Sequence, residues 1–236
     1  MKKVRMAQVA QVIDIGPHIR RIVLHGSDLE DFPADHEGAH FKAIFPRPGQ
    51  KKPQLSLSLG FKKWMRSYTV RAFDQQTKQL TVDFAVNDHD GLATNWAKNT
   101  QVGDYLGVAG PGEVKYPNYY ADWHLLVADL TALPAAAAIL EKLPEDAVGM
   151  AIIQVPSVED KHNIASPKGI KVHWIINNDL SRNALLEQFD NILWQGGAPA
   201  IFAAGETRQM KAIHQRLKTY PGYQKDNVYI SGYWTA

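Results

Sequence analysis

The sequence predicts two domains of different class, an N-terminal antiparallel β-barrel and a C-terminal doubly wound, mostly parallel α/β sheet. From residue 4 to about 110, short segments alternate apolar with polar residues and are separated by Gly and Pro, which is typical of antiparallel strands. After residue 121, compact apolar runs alternate with helical segments, which is typical of α/β folds. The Pro-, Tyr- and Gly-rich stretch at 111–121 separates these patterns, so we predict domains of residues 1–118 and 119–236.

The N-terminal domain is predicted to consist of short strands. In the clearest one, LTVDFAV at residues 80–86, apolar side chains occupy every second position, so that they share one face of a strand. Other strands are predicted at 4–16, 18–26, 38–46, 66–73 and 104–110. The stretch GLATNWAKN at 91–99 is predicted to be a helix. Many short strands with one helical interruption favour a small barrel.

The C-terminal domain is predicted to alternate strands with helices. Its strands are predicted at 124–130, 148–156, 170–177, 200–205 and 226–234. Its helices are predicted at 132–143, 182–189 and 207–218, the first ending before Pro144. Alternating elements of this kind form an open sheet that binds ligands where the strand order reverses.

The composition excludes several classes of function. The chain has 236 residues, a net charge of +2 and no cysteine, which excludes disulfides, a thiol nucleophile and an iron–sulfur cluster held by the chain itself. The nearly neutral charge argues against a nucleic-acid or membrane surface. The N-terminus lacks the apolar core of a signal peptide and the apolar runs are too short to cross a bilayer. We therefore expect a cytoplasmic protein.

The segment RSYTVRAF at 66–73 is unusual for a half-buried strand because arginines flank a tyrosine and a threonine. In a regular strand Arg66 and Tyr68 share a face, about 6–7 Å apart. A guanidinium beside an aromatic ring suits a planar, anionic ligand. Thr69 then points to the other face, so that it would reach that ligand through its backbone or through a local bulge in the strand. The alternative is a solvated strand with incidental charges.

Three further segments carry possible binding groups. HDGLAT at 89–94 places a glycine and small residues before a helix N-terminus, which favours an anion, although a capped surface turn has the same pattern. ADLTALPA at 128–135 lies where the first parallel strand ends, at the expected ligand-binding edge. In AAGETRQMK, Glu206 opens a helix and Arg208 could meet a phosphate, although both residues also suit a helix start.

No metal centre or nucleophilic triad is predicted. His36 and His40 are four residues apart, but the intervening glycine and the strand that follows argue against a shared helix face. The acidic residues of DFAVNDHD are better explained by turn chemistry.

Seven segments, in this order, resemble one family, the siderophore-interacting proteins or ferric-siderophore reductases, which are ferredoxin-reductase-like flavoenzymes. They are GAHFKAIFP (38–46), RSYTVRAFD (66–74), VDFAVNDHDGLATNWA (82–97), VGDYLGVAGPG (102–112), ADLTALPAAAAIL (128–140), AAGE (203–206) and GYW (232–234). The resemblance covers nearly the whole chain.

This resemblance implies that the barrel binds FAD and that the second domain admits NAD(P)H as a transient electron donor. The FAD-binding residues that it implies are Arg66, Ser67, Tyr68, Thr69, Asp83, Phe84, Ala85, His89, Gly91, Leu92, Ala93, Thr94 and Thr131. The electron-donor site that it implies consists of Thr131, Ala132, Leu133, Glu206 and Arg208. Lys42 and Lys115 match stretches near the family's substrate pocket. The chain has Leu130 where the family commonly has an acidic residue, and no GxGxxG motif for a tightly held dinucleotide.

The implied function is an FAD-dependent oxidoreductase that takes electrons from NAD(P)H or a ferredoxin and reduces a ferric siderophore, so that ferrous ion is released in the cytoplasm. Because FAD carries the electrons, no catalytic side chain is assigned. Two alternatives are a general NAD(P)H:flavin reductase and a flavin- or siderophore-binding carrier without turnover. We expect a monomer, and we expect Tyr233 and Trp234 to pack the last strand instead of covering the flavin.

Overall fold

The computed structural model describes residues 3–55, 61–87, 90–179 and 181–236 of the chain. It forms two compact units, Met1–Val114 and Lys115–Ala236. The first contains an antiparallel sheet and the second a parallel sheet with helices, so the predicted fold class is confirmed. The domain limits of 1–118 and 119–236 stay a prediction. His89, predicted to bind the cofactor, lies outside the described residues.

Seven strands form the antiparallel sheet of the first unit. They are β1 (Val4–Gly16), β2 (Ile19–His25), β3 (His40–Ile44), β4 (Met65–Thr69), β5 (Ala72–Asp74), β6 (Gln79–Ala85) and β7 (Tyr105–Ala109). Their order across the sheet is β4-β3-β7-β1-β2-β6-β5. The two end strands, β4 and β5, follow one another in the chain, and β4 also contacts β6. The sheet therefore curls towards closure, as the strands of a small barrel do.

The alternating pattern of β6 explains how this unit is filled. Leu80, Val82 and Phe84 are fully buried in the core, because every second side chain of a strand points to the same face. The helix α1 (Leu92–Asn99) buries Ala97 and packs Trp96 against this core. The helix predicted at 91–99 is thus present with its amphipathic face inward.

The prediction of one continuous strand over residues 66–73 is wrong. β4 ends at Thr69 and pairs with β3, whereas β5 begins at Ala72 and pairs with β6. Between them the Val70 N–H donates to Ala39 and the Arg71 N–H donates to Thr81. The backbone changes partner here because the chain passes from one end of the sheet to the other.

The second unit is a five-stranded parallel sheet with helices. Its strands are β8 (Trp123–Asp129), β9 (Val148–Val155), β10 (Gly169–Ile176), β11 (Pro199–Glu206) and β12 (Val228–Trp234). Its helices are α2 (Leu133–Lys142), α3 (Ala184–Asp190) and α4 (Thr207–Leu217). The strand order is β10-β9-β8-β11-β12. From β8 the chain adds β9 and β10 on one side and then β11 and β12 on the other, so the direction in which strands are added reverses between β8 and β11. That reversal is the position at which doubly wound sheets bind ligands.

Helix α2 shows why the sequence pattern after β8 is helical. Pro134 stands in its first turn, where no intrahelical N–H is needed. The alanines Ala135 to Ala138 are at most 1% exposed, and their small side chains let the helix lie close to its neighbours. The helix stops at Lys142, shortly before Pro144. In the part of the chain that the structure describes, no helix combines the length and apolarity needed to cross a membrane.

Candidate functional site

The strand β4 carries the first candidate binding groups. Within the sheet order it is an end strand whose hydrogen-bonded neighbour is β3, with Arg66 opposite Ala43 and Tyr68 opposite Phe41. The side chains of Arg66 and Ser67 are exposed. An end strand leaves one row of backbone N–H and C=O groups unpaired by the sheet. β4 can therefore present backbone groups and side chains together for hydrogen bonding to a ligand.

Four rings connect β4 to helix α1, and we call them the aromatic cluster: Phe45, Tyr68, Phe84 and Trp96. The Tyr68 and Phe84 ring centroids are 4.2 Å apart, and Phe84 lies 5.4 Å from Trp96. Phe45 lies 5.5 Å from Trp96. Burial raises the pKa of Tyr68 well above its ordinary value, so the phenol stays neutral. The cluster fixes the position of β4 relative to α1.

The N-terminus of α1 is the second group suited to an anion. Its N-cap, Gly91, has an extended backbone (φ −159°), and no side chain among the described residues caps the helix. The first intrahelical hydrogen bond runs from the Asn95 N–H to the Gly91 carbonyl. The N–H groups of the first turn therefore carry the positive end of the helix dipole. A ring, an exposed guanidinium and this helix end fit a ligand that joins a planar ring to a pyrophosphate, as FAD does.

The predicted FAD residues of β6 lie behind this surface. Both carboxylate oxygens of Asp83 accept hydrogen bonds from Arg21, at 2.7 and 2.8 Å. The Arg71 Nε lies 3.8 Å from the same carboxylate, whose side chain is only 3% exposed. Phe84 is fully buried beneath Tyr68. Arg71, the second arginine of RSYTVRAF, thus pairs with the buried Asp83. Contacts of Asp83, Phe84 and Ala85 with FAD stay predictions.

The predicted substrate residue Lys42 lies beside a predicted cofactor residue. Its Nζ donates to Ser67 Oγ at 2.5 Å across the β3–β4 pair. Because side chains alternate along a strand, these two project from the face opposite to Tyr68. Thr69 shares that face and is buried. The other predicted substrate residue, Lys115, is an exposed residue at the beginning of the second unit.

In the second unit, a buried acid that the sequence-based site does not include lies where the strand order reverses. Asp129 ends β8, and its Oδ1 accepts from the Thr131 N–H at 2.8 Å and from the Thr131 hydroxyl at 2.6 Å. Its Oδ2 accepts from the Trp234 indole N–H at 2.7 Å. Burial raises the pKa of Asp129, although these hydrogen bonds act in the opposite direction. The signal for it was present, since an Asp two residues before a Thr at a strand end is typical of a side-chain–backbone turn.

Gly205 of the neighbouring strand β11 makes room for this acid. A Cβ atom at residue 205 would lie 2.7 Å from Asp129 Oδ2, and the backbone there has φ +154°. Both the contact and the dihedral require glycine at this position. The glycine of AAGE therefore serves the packing of Asp129.

The predicted donor-site residues near β8 are either hydrogen-bonded within the protein or buried. The Thr131 hydroxyl is bound to Asp129, and the side chains of Ala132 and Leu133 are at most 1% exposed. They begin helix α2 and are brought together by the turn around Asp129. Their contact with an electron donor stays a prediction.

Glu206 and Arg208 lie at the start of helix α4. Glu206 is its N-cap, and its Oε2 accepts from the backbone N–H groups of Arg208 and Gln209 at 2.8 and 3.0 Å. Burial by itself acts to raise the pKa of Glu206, but backbone N–H donors at the helix start and at Ala236 lower it. The Arg208 guanidinium is 67% exposed and lies 3.5 Å from Glu206 Oε1. Glu206 thus caps the helix, while Arg208 reaches solvent.

The C-terminal aromatic residues pack within the second unit. Besides the indole bond to Asp129, the Trp234 carbonyl accepts from the Thr207 hydroxyl at 2.6 Å. Burial raises the pKa of Tyr233, which follows Gly232 in β12. These contacts agree with the expectation that both residues pack the last strand. Among the described residues, no group of three His, Cys, Asp or Glu side chains could hold a metal ion.

Comparisons with known proteins identify both units. The family model described as "Siderophore-interacting FAD-binding domain" matches residues 8–115, and the one described as "Siderophore-interacting protein" matches residues 121–236. The ferric vibriobactin reductase ViuB of Vibrio cholerae is 33% identical over 230 residues, covering 93% of this chain and 85% of that protein. The NADPH-dependent ferric-chelate reductase of Escherichia coli is 29% identical over 248 residues, covering 98% and 93%.

Solved structures agree. A siderophore utilization protein from T. fusca superposes with a TM-score of 0.88 at 33% identity, covering 99% of this chain and 93% of that one. The ferredoxin–NADP+ reductase of Plasmodium falciparum, at 13% identity, 97% and 96% coverage and a TM-score of 0.68, shares the fold. The chain therefore belongs to the siderophore-interacting protein family.

Proposed function

We propose that this protein is an FAD-dependent ferric-siderophore reductase that releases iron as ferrous ion in the cytoplasm. The observation that carries the proposal is the first unit's aromatic cluster, which holds the exposed edge of β4 and the open N-terminus of α1 in one arrangement. The name of the matching domain model and the names of the two reductase relatives support the choice of cofactor and acceptor. A monomeric protein is part of the proposal.

The chain's own groups divide between the two parts of FAD. The Arg66 guanidinium and the first-turn N–H groups of α1 hold the pyrophosphate, since both donate to oxyanions. The Tyr68 ring and the backbone of β4 orient the flavin ring. FAD held there would supply the chemistry of two-electron uptake from a donor and one-electron transfer to an acceptor. Arg21 and Asp83 act from behind the site by keeping β6 in place.

The acceptor is a ferric siderophore. Hard oxygen ligands hold ferric iron more tightly than ferrous iron, so one electron per complex loosens the metal, and two complexes are reduced for each two-electron donor. The task of the chain is to bring an anionic complex near the flavin. Lys42, exposed beside Ser67, and Lys115 supply positive charge for this.

The electron donor is NAD(P)H, with a ferredoxin as the alternative. The relative from Escherichia coli is named as NADPH-dependent. In this proposal the turn after β8, with Thr131, Ala132 and Leu133, and the start of α4, with Glu206 and Arg208, form the donor site. Arg208 is the donor-site residue whose charge reaches solvent, so it is the candidate for contact with a nucleotide phosphate.

The proposal is tested by absorption spectroscopy of the purified protein under anaerobic conditions. We expect a yellow protein that bleaches with NADH or NADPH and recovers its colour when a ferric siderophore is added, with ferrous ion trapped by a colorimetric chelator. If only a reduced ferredoxin bleaches the protein, the electron donor is a ferredoxin instead of NAD(P)H. A protein that takes up no added FAD, or one whose reduced form leaves the ferric siderophore intact, contradicts the proposal.

A variant tests the pyrophosphate assignment separately. Replacing Arg66 by Gln should weaken FAD binding about tenfold, because one exposed charge-assisted contact is lost. Arg216→Gln is the matched control, since Arg216 is an exposed arginine of the second unit that pairs with Asp190. Equal FAD affinities in the two variants would remove Arg66 from the site.

A further inference from the structure

Arg20 occupies a position of β2 at which an apolar side chain is expected. Two and four residues further along the strand, Ile22 and Leu24 are fully buried in the core, and side chains at every second position share a face. The residue opposite Arg20 on β6 is Phe84, which is fully buried as well. The Arg20 side chain is only 22% exposed, so its guanidinium needs hydrogen-bond acceptors within the protein.

The acceptors lie at the end of helix α1, 77 and 78 positions later in the chain. Arg20 Nη1 donates to the carbonyl of Ala97 at 2.9 Å and to the carbonyl of Lys98 at 2.5 Å. Both carbonyls belong to the last turn of the helix, where no further intrahelical N–H is available to them. The guanidinium also faces the negative end of the helix dipole. Arg20 therefore caps α1 from a neighbouring strand.

The acid next to Arg20 contributes less to its position. Asp14 lies opposite Arg20 on β1. Although Asp14 Oδ1 is 2.9 Å from Arg20 Nε, that N–H forms no hydrogen bond within the described residues. The Asp14 side chain is 70% exposed, so water competes for the ion pair. The two carbonyls of α1 are thus the contacts that fix the guanidinium.

Helix α1 needs support of this kind because it is short. It has eight residues, and isolated helices of fewer than about 12–15 residues are marginal in water. Trp96 and Ala97 pack its middle and last turn against the core. At its start, Gly91 is the N-cap and no side chain among the described residues caps the helix. The start is left open for a ligand, so the helix has to be held at its other end.

We propose that Arg20 is a positioning residue for the cofactor, which holds the last turn of α1 so that the first-turn N–H groups stay in place for the pyrophosphate. The inference rests on the proposed function, which places the pyrophosphate at this helix start. The two ends of an eight-residue helix are about 12 Å apart, which exceeds the screening length of about 8 Å at physiological salt. Arg20 thus acts through the helix and not through its own charge on the ligand.

The test is a titration of flavin-free protein with FAD and with riboflavin, which has no phosphate, followed by flavin fluorescence. Arg20→Met keeps the apolar stem and removes the donors. It should weaken FAD binding about tenfold, the loss expected for about one charge-assisted hydrogen bond, and riboflavin binding less than twofold. Arg20→Lys keeps a charged donor and should bind FAD within threefold of the wild type. Should Arg20→Met fail to fold, Arg20→Gln takes its place with the same expected order.

Amide hydrogen exchange of the flavin-free proteins measures the helix itself. The amides of α1 should exchange at least tenfold faster in Arg20→Met than in the wild type, and less than threefold faster in Arg20→Lys. Asp14→Asn is the matched control, because it removes the neighbouring acid and leaves both carbonyl contacts. It should change FAD affinity less than twofold and leave the exchange of α1 unchanged.

The outcomes separate this inference from the proposed function. Equal losses of FAD and riboflavin in Arg20→Met would overturn the inference, since Arg20 would then support the whole unit. An unchanged FAD affinity would overturn it as well, whether or not the amides of α1 exchange faster. In both cases the wild type still binds FAD and the proposed function stands. A wild-type protein that takes up no FAD contradicts the proposed function itself.

Discussion

Replacing Asp83 by Asn tests whether the ion pair that joins β2 to β6 is structural. The carboxylate is 3% exposed and holds Arg21 through two hydrogen bonds of 2.7 and 2.8 Å. Removing one partner of a buried pair costs about 3–5 kcal/mol. Asn keeps one acceptor oxygen, and Arg21 is 26% exposed and can reach water, so we expect a loss of about 2–3 kcal/mol.

The control is Asp14→Asn, which breaks the pair with Arg20. The two partners are 2.9 Å apart, but Asp14 is 70% exposed, so the expected loss is below about 0.5 kcal/mol. Both variants are compared by equilibrium urea unfolding of flavin-free protein, followed by circular dichroism. FAD affinity is measured in parallel, and Asp83→Asn should change it less than threefold because Arg21 already occupies both carboxylate oxygens. Equal midpoints for the two variants, or a tenfold loss of FAD affinity at unchanged stability, would refute this reasoning.

Two further predictions concern Asp129. Gly205→Ala should cost about 2–4 kcal/mol, since its Cβ would lie 2.7 Å from Asp129 Oδ2 at a φ that disfavours side chains. Gly196→Ala, where a Cβ meets nothing within 4 Å, should cost little in the same urea experiment, and similar costs would contradict the assignment. Because burial raises the pKa of Asp129 above 3.8, the folded state keeps its proton to a higher pH than the unfolded state. The contribution of Asp129 should therefore be full below about pH 4 and decline as the pH rises through the raised pKa. Asp129→Asn should remove that slope, and an unchanged slope would exclude the titration of Asp129.

The elements with a strong sequence period could be predicted well. β6 alternates apolar and polar residues, and the structure buries Leu80, Val82 and Phe84 as that pattern requires. Helix α2 was predicted at 132–143 and spans Leu133–Lys142, because prolines mark its start and its end. The apolar period and the prolines are local signals, so they can be recognised in the sequence without knowing which strands pair with one another.

The prediction of a single strand at 66–73 was wrong because the local sequence does not show where the strand breaks. Nothing in the residues of this segment marks where the backbone leaves β3 and joins β6. The position is set by the closure of the sheet, which depends on strands far away in the sequence. The same limit applies to Arg71, which belongs with Arg66 by sequence but with Asp83 by structure.

Asp129 shows how a candidate site residue can be overlooked when its neighbours are found. The sequence pointed to Thr131 as a ligand-binding group, and the structure binds the Thr131 hydroxyl to Asp129. Asp129 in turn holds the Trp234 indole, which lies 105 positions later in the chain, against the end of β8. Since the buried Asp129 joins the turn after β8 to the last strand, a substitution of Trp234 should alter the position of Thr131. The end of the chain and the start of α2 therefore form one hydrogen-bonded unit, and any donor-site role of Thr131 depends on Asp129 keeping it in place.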